Sequence, residues 1–374
     1  MDARYRVLHS LNAARVCAEF LVVNYHVSLT PTSFLKNDKV AQALMSFFFV
    51  LSGFMAMYTN ASTDFSARPA KLDYIRRRFS KAYPTYLLWT LLDLPGTIVK
   101  HLPFARQKCP LLCWLSLGSQ PVLLQSWLGC YHIGSSNPVG WYLCTLFWLW
   151  LLFPFIPIPQ FCSSDPWTSV VSLYCVSVLG FLAFAGFTNM NTRALPPLRV
   201  CEFLMGACLT FTLEKPVNGW LVLAGLLGFL GYWILTRAMP DLFFAQEDVS
   251  LICALWPAIR SWRPDPSSLL SSFSIVWCLL VQWLAASELK AQDSFVLRIL
   301  HWECFKSLSA FSLQLYLSHI TIAMGLVSAA AAVGLTDWWS TDSLILSCYG
   351  LAYWYSTIEP AAFAWIRARF TRAA

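Results

Sequence analysis

Long apolar runs recur along the chain at 11–29, 41–59, 82–100, 140–158, 168–187, 198–213, 218–236, 268–286, 308–331 and 342–364. A hydrocarbon core about 30 Å thick requires about 20 predominantly apolar residues in a helix, so this pattern predicts about ten spans. The expected fold is all-α: a polytopic transmembrane helix bundle forming one membrane domain over 1–374. Two stretches break the pattern. The first, 111–128, falls in a long outer loop at 101–139 and contains Gly118 and Pro121. The second, 241–262, opens with Asp241, Glu247 and Asp248 before a short apolar piece. Both are expected to be interfacial or re-entrant, because unpaired backbone is not tolerated in lipid.

Charge placement decides between ten spans and eleven. Ten spans with a cytoplasmic N-terminus collect Arg4, Arg6, the RRRFSK run at 76–81, Lys290, Lys306, Arg367, Arg369 and Arg372 on the cytoplasmic side, as the positive-inside rule requires. Counting 241–262 as a further span moves the last three arginines outside and breaks the rule. Both termini are therefore expected in the cytoplasm. The sequon Asn60-Ala61-Ser62 then also lies on that side, where it stays unmodified.

Composition supports the membrane class. Of 374 residues 57% are hydrophobic and 12% charged, about half the charge of an ordinary soluble domain. The first apolar run ends in NYHVSLTPTSF without a small-residue cleavage site and reads as a retained span. The 13 cysteines show no CxxC pairing and no metal-ligand spacing, and most are expected to be small core residues. Cys109, Cys113 and Cys130 share the outer loop, where one disulfide is an open possibility. The net charge of +7 is concentrated at a membrane boundary, which points to an anchor or an anion site before nucleic acid.

The ionisable residues inside the runs carry the candidate chemistry. In RVCAEFLVVNYH at 15–26, successive residues advance about 100° around a helix, so Arg15, Glu19 and His26 share one face and Asn12 extends it. Ionisable groups in a span are expensive and mark a polar path, with Arg15 expected near the cytoplasmic mouth and His26 deep in the bundle. A structural reading stands beside this one: Arg15 snorkelling, Glu19 in an i,i+4 salt bridge, His26 hydrogen-bonded to a neighbouring helix. In SLQLYLSH at 312–319, Ser312, Tyr316 and His319 form a second polar face.

With these residues in view the chain resembles the acyltransferase-3 group of integral-membrane O-acyltransferases. Arg15 and His26 match its arginine, ten residues, histidine signature. FFFVLSGF at 47–54, RRRFSKAYP at 76–84, GWYLCTLFWLWLLFP at 140–154, LRVCEFLMG at 198–206, FSLQLYLSH at 311–319 and STIEP at 356–360 follow in the family's order. Lys81 stands where the pattern has its second arginine, and Ser46 where it has an acidic residue.

The resemblance implies acyl transfer from acyl-CoA, acetyl-CoA being the expected donor, to a hydroxyl of a carbohydrate or other small acceptor. Acyl-CoA is then a co-substrate, with no permanently bound cofactor and no metal. His26 is the expected general base and Glu19 or Glu202 the carboxylate that steadies its imidazolium. Arg15, Arg77, Arg78 and Lys81 are expected to bind the donor's phosphates. Tyr316, His319, Ser312 and Glu202 are expected to line the acceptor site. Trp141, Arg199 and Glu359 are expected to serve packing or pairing. The competing readings are a proton-coupled transporter, against which the absence of internal repeat halves counts, and a non-catalytic relative acting as a sensor or lipid-binding scaffold. Acceptor, acyl length, host membrane and oligomeric state are not legible.

Overall fold

The computed structural model describes residues 6–27, 38–101, 110–128, 136–162, 165–187, 194–214, 216–238, 273–292, 294–334 and 340–371. Among these every regular element is helical. In chain order the α-helices are α1 (His9–Val27), α2 (Asp38–Tyr58), α3 (Arg68–Gly96), α4 (Pro110–Ser119), α5 (Gly140–Leu152), α6 (Ile158–Phe161), α7 (Pro166–Phe187), α8 (Pro196–Leu209), α9 (Gly219–Ala238), α10 (Ser274–Leu289), α11 (Phe295–Leu300), α12 (Glu303–Ala310), α13 (Ser312–Ala332) and α14 (Thr341–Thr371).

Each of the ten apolar runs overlaps a helix among the described residues. Two of them, Val40–Tyr58 and Ser312–Ala332, are long and apolar enough by themselves to cross a bilayer. Gly140–Phe155, Pro166–Phe181, Gly219–Leu235 and Ser274–Leu289 are apolar but shorter. The stretch 241–262 lies outside the described residues, as do Cys109 and Cys130. The other irregular stretch resolves into α4, ten residues and so about 15 Å long, half the span of a hydrocarbon core. It then turns back, with the Leu124 amide donating to the Ser119 carbonyl. Tyr86 on α3 donates to the Gln120 carbonyl at 2.9 Å, which binds the turn to the bundle.

Two glycines set the tightest contact. A Cβ at Gly53 on α2 would stand 1.7 Å from the Phe203 carbonyl oxygen, and one at Gly206 on α8 would stand 1.8 Å from that of Val50. Side chains are excluded there, so the backbones touch, as small residues allow between helices packed in lipid. Beside this crossing lies a buried polar cluster. The Arg199 guanidinium meets Glu202 at 2.7 Å, Ser46 and Ser274 donate to Glu202 at 2.7 and 2.9 Å, and Arg199 lies over the Phe49 and Phe181 rings. Ser46, where the family pattern carries an acid, accepts from Arg199 at 3.3 Å and donates to Glu202.

Remote groups seat α1. The first N–H groups of a helix have no partner within it, and here Glu288 of α10 supplies one. It accepts from the His9 and Ser10 amides at 2.8 and 2.9 Å and from the Ser10 hydroxyl at 2.5 Å. The carboxylate thereby fixes the depth and rotation of the helix that carries Arg15, Glu19 and His26. Large apolar side chains on the outer faces of α7, α9 and α14, among them Val176, Leu179, Leu227, Leu230, Leu346 and Trp354, are exposed. Such faces are unfavourable in water and suit contact with lipid.

Candidate active site

The two predicted polar faces meet. Asn12, Arg15 and Glu19 of α1 and Ser312 and Tyr316 of α13 line one cavity of about 240 Å³, closed by Phe48, Ser52 and Met55 of α2, Arg78 and Lys81 of α3, and Tyr142, Leu146 and Trp150 of α5. Spacing along α1 and α13 was enough to pick the inward residues, because an amphipathic stripe on an otherwise apolar helix has to face the bundle interior.

Charge is graded along this cavity. Lys81 is exposed and Arg78 partly buried, and Arg78 lies 5.5–5.6 Å from the Tyr74 and Trp150 ring centroids, a cation–π cradle that holds the guanidinium without neutralising it. Arg15 donates from Nη2 to the Ser309 carbonyl at 2.9 Å. Its Nε, however, is buried without a hydrogen-bond partner, and so is Oε1 of Glu19 one turn further on. A buried polar atom left unsatisfied costs about 1–3 kcal/mol, and two of them stand on one wall of this cavity.

His26 and His319 lie beyond this cavity. His26 stands one residue before the end of α1, its ring packed against those of His319 and Tyr25 and part of its surface exposed. The helix carries it about 10 Å past Glu19, seven residues at 1.5 Å each. Its Nδ1 is 3.0 Å from Nε2 of His319, which is fully buried. Tyr316 joins the two halves of the site. Its ring centroid lies 6.0 Å from that of His319 and 5.4 Å from that of Tyr142, and its hydroxyl donates to the Val139 carbonyl at 3.0 Å.

Other expected members sit elsewhere. Arg77 points away and pairs with Asp73 at 3.3 Å on the surface of α3. Glu202 belongs to the Arg199 cluster and does not line the cavity. It is held by three partners, which leaves it no reach toward His26. Glu19 lies two turns from His26, so the imidazole in contact with His26 is that of His319 and not either carboxylate. Trp141 and Arg199 pack and pair as expected. Glu359 accepts from Gln314 at 2.6 Å and from Thr85, tying α14 to α13 and α3. Asn60, the sequon residue, is buried and donates to the Ala56 carbonyl at 2.8 Å. Among the described residues no three His, Cys, Asp or Glu side chains converge on a metal site.

Tyr142 and Ser52 are cavity residues that sequence reading passed over. Their hydroxyls meet at 3.2 Å, and Tyr142 also reaches the Phe48 carbonyl at 3.4 Å. Both stand inside motifs quoted for the family, next to residues that drew more notice. Their only available signal was a hydroxyl within a run of otherwise apolar neighbours.

No curated protein and no solved structure gives a match. The family model of the acyltransferase-3 group, described as an acyltransferase domain, matches residues 8–357, from the start of α1 to the middle of α14. The chain belongs to the acyltransferase-3 family.

Proposed function

We propose that this protein is a multi-pass membrane O-acyltransferase of about ten spans, both termini cytoplasmic. It takes an acyl group, acetyl being the favoured one, from acyl-CoA and passes it to a hydroxyl of a carbohydrate or other small acceptor. The observation that carries this reading is the cavity in which Arg15 Nε and Glu19 Oε1 are buried without partners while Arg78 and Lys81 line the same space. A donor with several phosphates suits cationic side chains on the side where α1 and α3 begin, and its acyl end suits the apolar wall of Phe48, Met55 and Leu146.

The chemistry follows from His26. Its free ring nitrogen takes the proton of the acceptor hydroxyl as the oxygen attacks the thioester carbonyl. When the tetrahedral intermediate collapses, the carbon–sulfur bond breaks and the departing thiolate of CoA recovers that proton from the imidazolium. Acid–base catalysis by a positioned histidine supplies about 10²–10⁴-fold in rate. The test is acetyl-group transfer or donor turnover in proteoliposomes. His26→Gln is expected to lower kcat by about that factor with little change in thermal stability, since the side chain is partly exposed. Full activity in the variant removes His26 as the base. Solute flux coupled to protons, without acyl transfer, favours the carrier reading instead.

A further inference from the structure

Both ring nitrogens of His319 are committed. Nδ1 lies 3.2 Å from the Leu315 carbonyl oxygen, four residues back on α13, and Nε2 lies 3.0 Å from Nδ1 of His26. A carbonyl only accepts, so Nδ1 of His319 carries a proton. With both imidazoles uncharged, Nε2 of His319 then has a lone pair and accepts, and the proton between the rings belongs to Nδ1 of His26. The remaining nitrogen, Nε2 of His26, is left with its lone pair free on the exposed side of the ring.

Resting on the acyl-transfer reading above, we infer that His319 is a positioning residue: it receives the His26 Nδ1 proton, holds that ring in the tautomer with Nε2 unprotonated, and so makes His26 competent as a base. His319 does not bind the acceptor, because no nitrogen is left to do so and the side chain is fully buried. The chain of bonds runs in one direction, from His26 through His319 to the Leu315 carbonyl. Its end is a backbone group, fixed within α13 and unable to titrate. The arrangement does by a second imidazole what a buried carboxylate does when it orients a catalytic histidine. The polar groups around the pair are the Val22 carbonyl, a second, backbone partner of His26 one turn back on α1, Tyr25, whose ring lies 4.9 Å from that of His26, and Tyr316, through its ring and its backbone carbonyl. Cys348 adds a thiol that donates to the His319 carbonyl at 3.4 Å. None of them is a carboxylate or a basic side chain, so none of them supplies the orientation by charge.

The test is ¹⁵N NMR of histidine-labelled protein in nanodiscs near pH 7, with the His26 resonances identified by their loss in His26→Gln. The wild type is expected to show His26 protonated at Nδ1 and bare at Nε2. His319→Leu removes the acceptor, and His26 is expected to shift to a mixture containing the Nε2-protonated form. His319→Gln offers an amide oxygen to Nδ1 and is expected to restore the wild-type tautomer. In acyl transfer His319→Leu is expected to lower kcat about 10–100-fold, part of the acid–base factor, with KM for the donor unchanged and partial rescue in His319→Gln. Protonation of His26 at Nε2 in the wild type, or the same tautomer in wild type and His319→Leu, overturns the inference. If His319→Leu does not fold, the wild-type and His319→Gln spectra still decide. The spectra need no substrate, so absence of acyl transfer counts against the enzymatic reading alone and a wrong tautomer against this inference alone.

Discussion

Among the described residues two arginine–glutamate pairs stand one turn apart on a helix within the bundle, and they are opposites. Arg199 and Glu202 on α8 are sealed: they pair with each other, two aromatic rings cover the guanidinium, and two serine hydroxyls donate to the carboxylate. Arg15 and Glu19 on α1 face a cavity, and each has an atom with nothing to bond. The sealed pair holds α2, α8 and α10 in register. The open pair leaves its bonding capacity for something that enters. Residue type alone does not separate structure from function; the separation lies in which polar atoms are satisfied.

The largest effect expected in this comparison is at the crossing beside the sealed pair. Gly206→Val drives a side chain into the Val50 carbonyl, where overpacking costs about 3 kcal/mol or more, and loss of a monodisperse species in size-exclusion chromatography is the expected outcome. A Gly206→Val protein that purifies with wild-type stability would mean the α2–α8 contact is looser than described.

Next come the pairs themselves. Glu202→Gln leaves Arg199 buried without its counter-charge and is expected to destabilise by about 3–5 kcal/mol, read as a fall in thermal midpoint in detergent. Glu19→Gln, by contrast, removes a carboxylate whose Oε1 already lacks a partner and is expected to change stability by less than about 1 kcal/mol, while altering donor turnover. Equal destabilisation by both variants would erase the distinction drawn here.

This contrast also shows what the sequence holds. Both polar faces, the all-helical class and the members Arg15, Glu19, Arg78, Lys81, Ser312 and Tyr316 of the cavity follow from periodicity and motif spacing, because a helix converts spacing into direction. Glu202 was misjudged as a site residue for the reason that direction is not environment. It also points inward, but toward Ser46, 156 positions earlier, and Ser274, 72 positions later. The seating of α1 by Glu288, 278 residues from Ser10, has no local signal at all. Nor does the contact between His26 and His319, which turns two separately predicted histidines into one unit.

The smallest effect sharpens the boundary of the open region. Tyr142→Phe removes the hydroxyl that meets Ser52 and the Phe48 carbonyl and is expected to cost about 0.5–1.5 kcal/mol of stability. It also widens the polar gap next to Arg15, so a modest rise in KM for the donor is expected. An unchanged KM would confine Tyr142 to packing.

The most direct measurement is the affinity of the purified protein in nanodiscs for acetyl-CoA, with free CoA and ATP as controls and Arg15→Ala, Arg78→Ala and Arg77→Ala alongside. Binding that weakens about tenfold or more, equivalent to about 1.4 kcal/mol, in Arg15→Ala and Arg78→Ala but not in Arg77→Ala is the expected result, since only the first two line the cavity. No binding by folded protein, or equal loss in all three variants, would contradict the claim that the open arginine–glutamate pair marks the donor site.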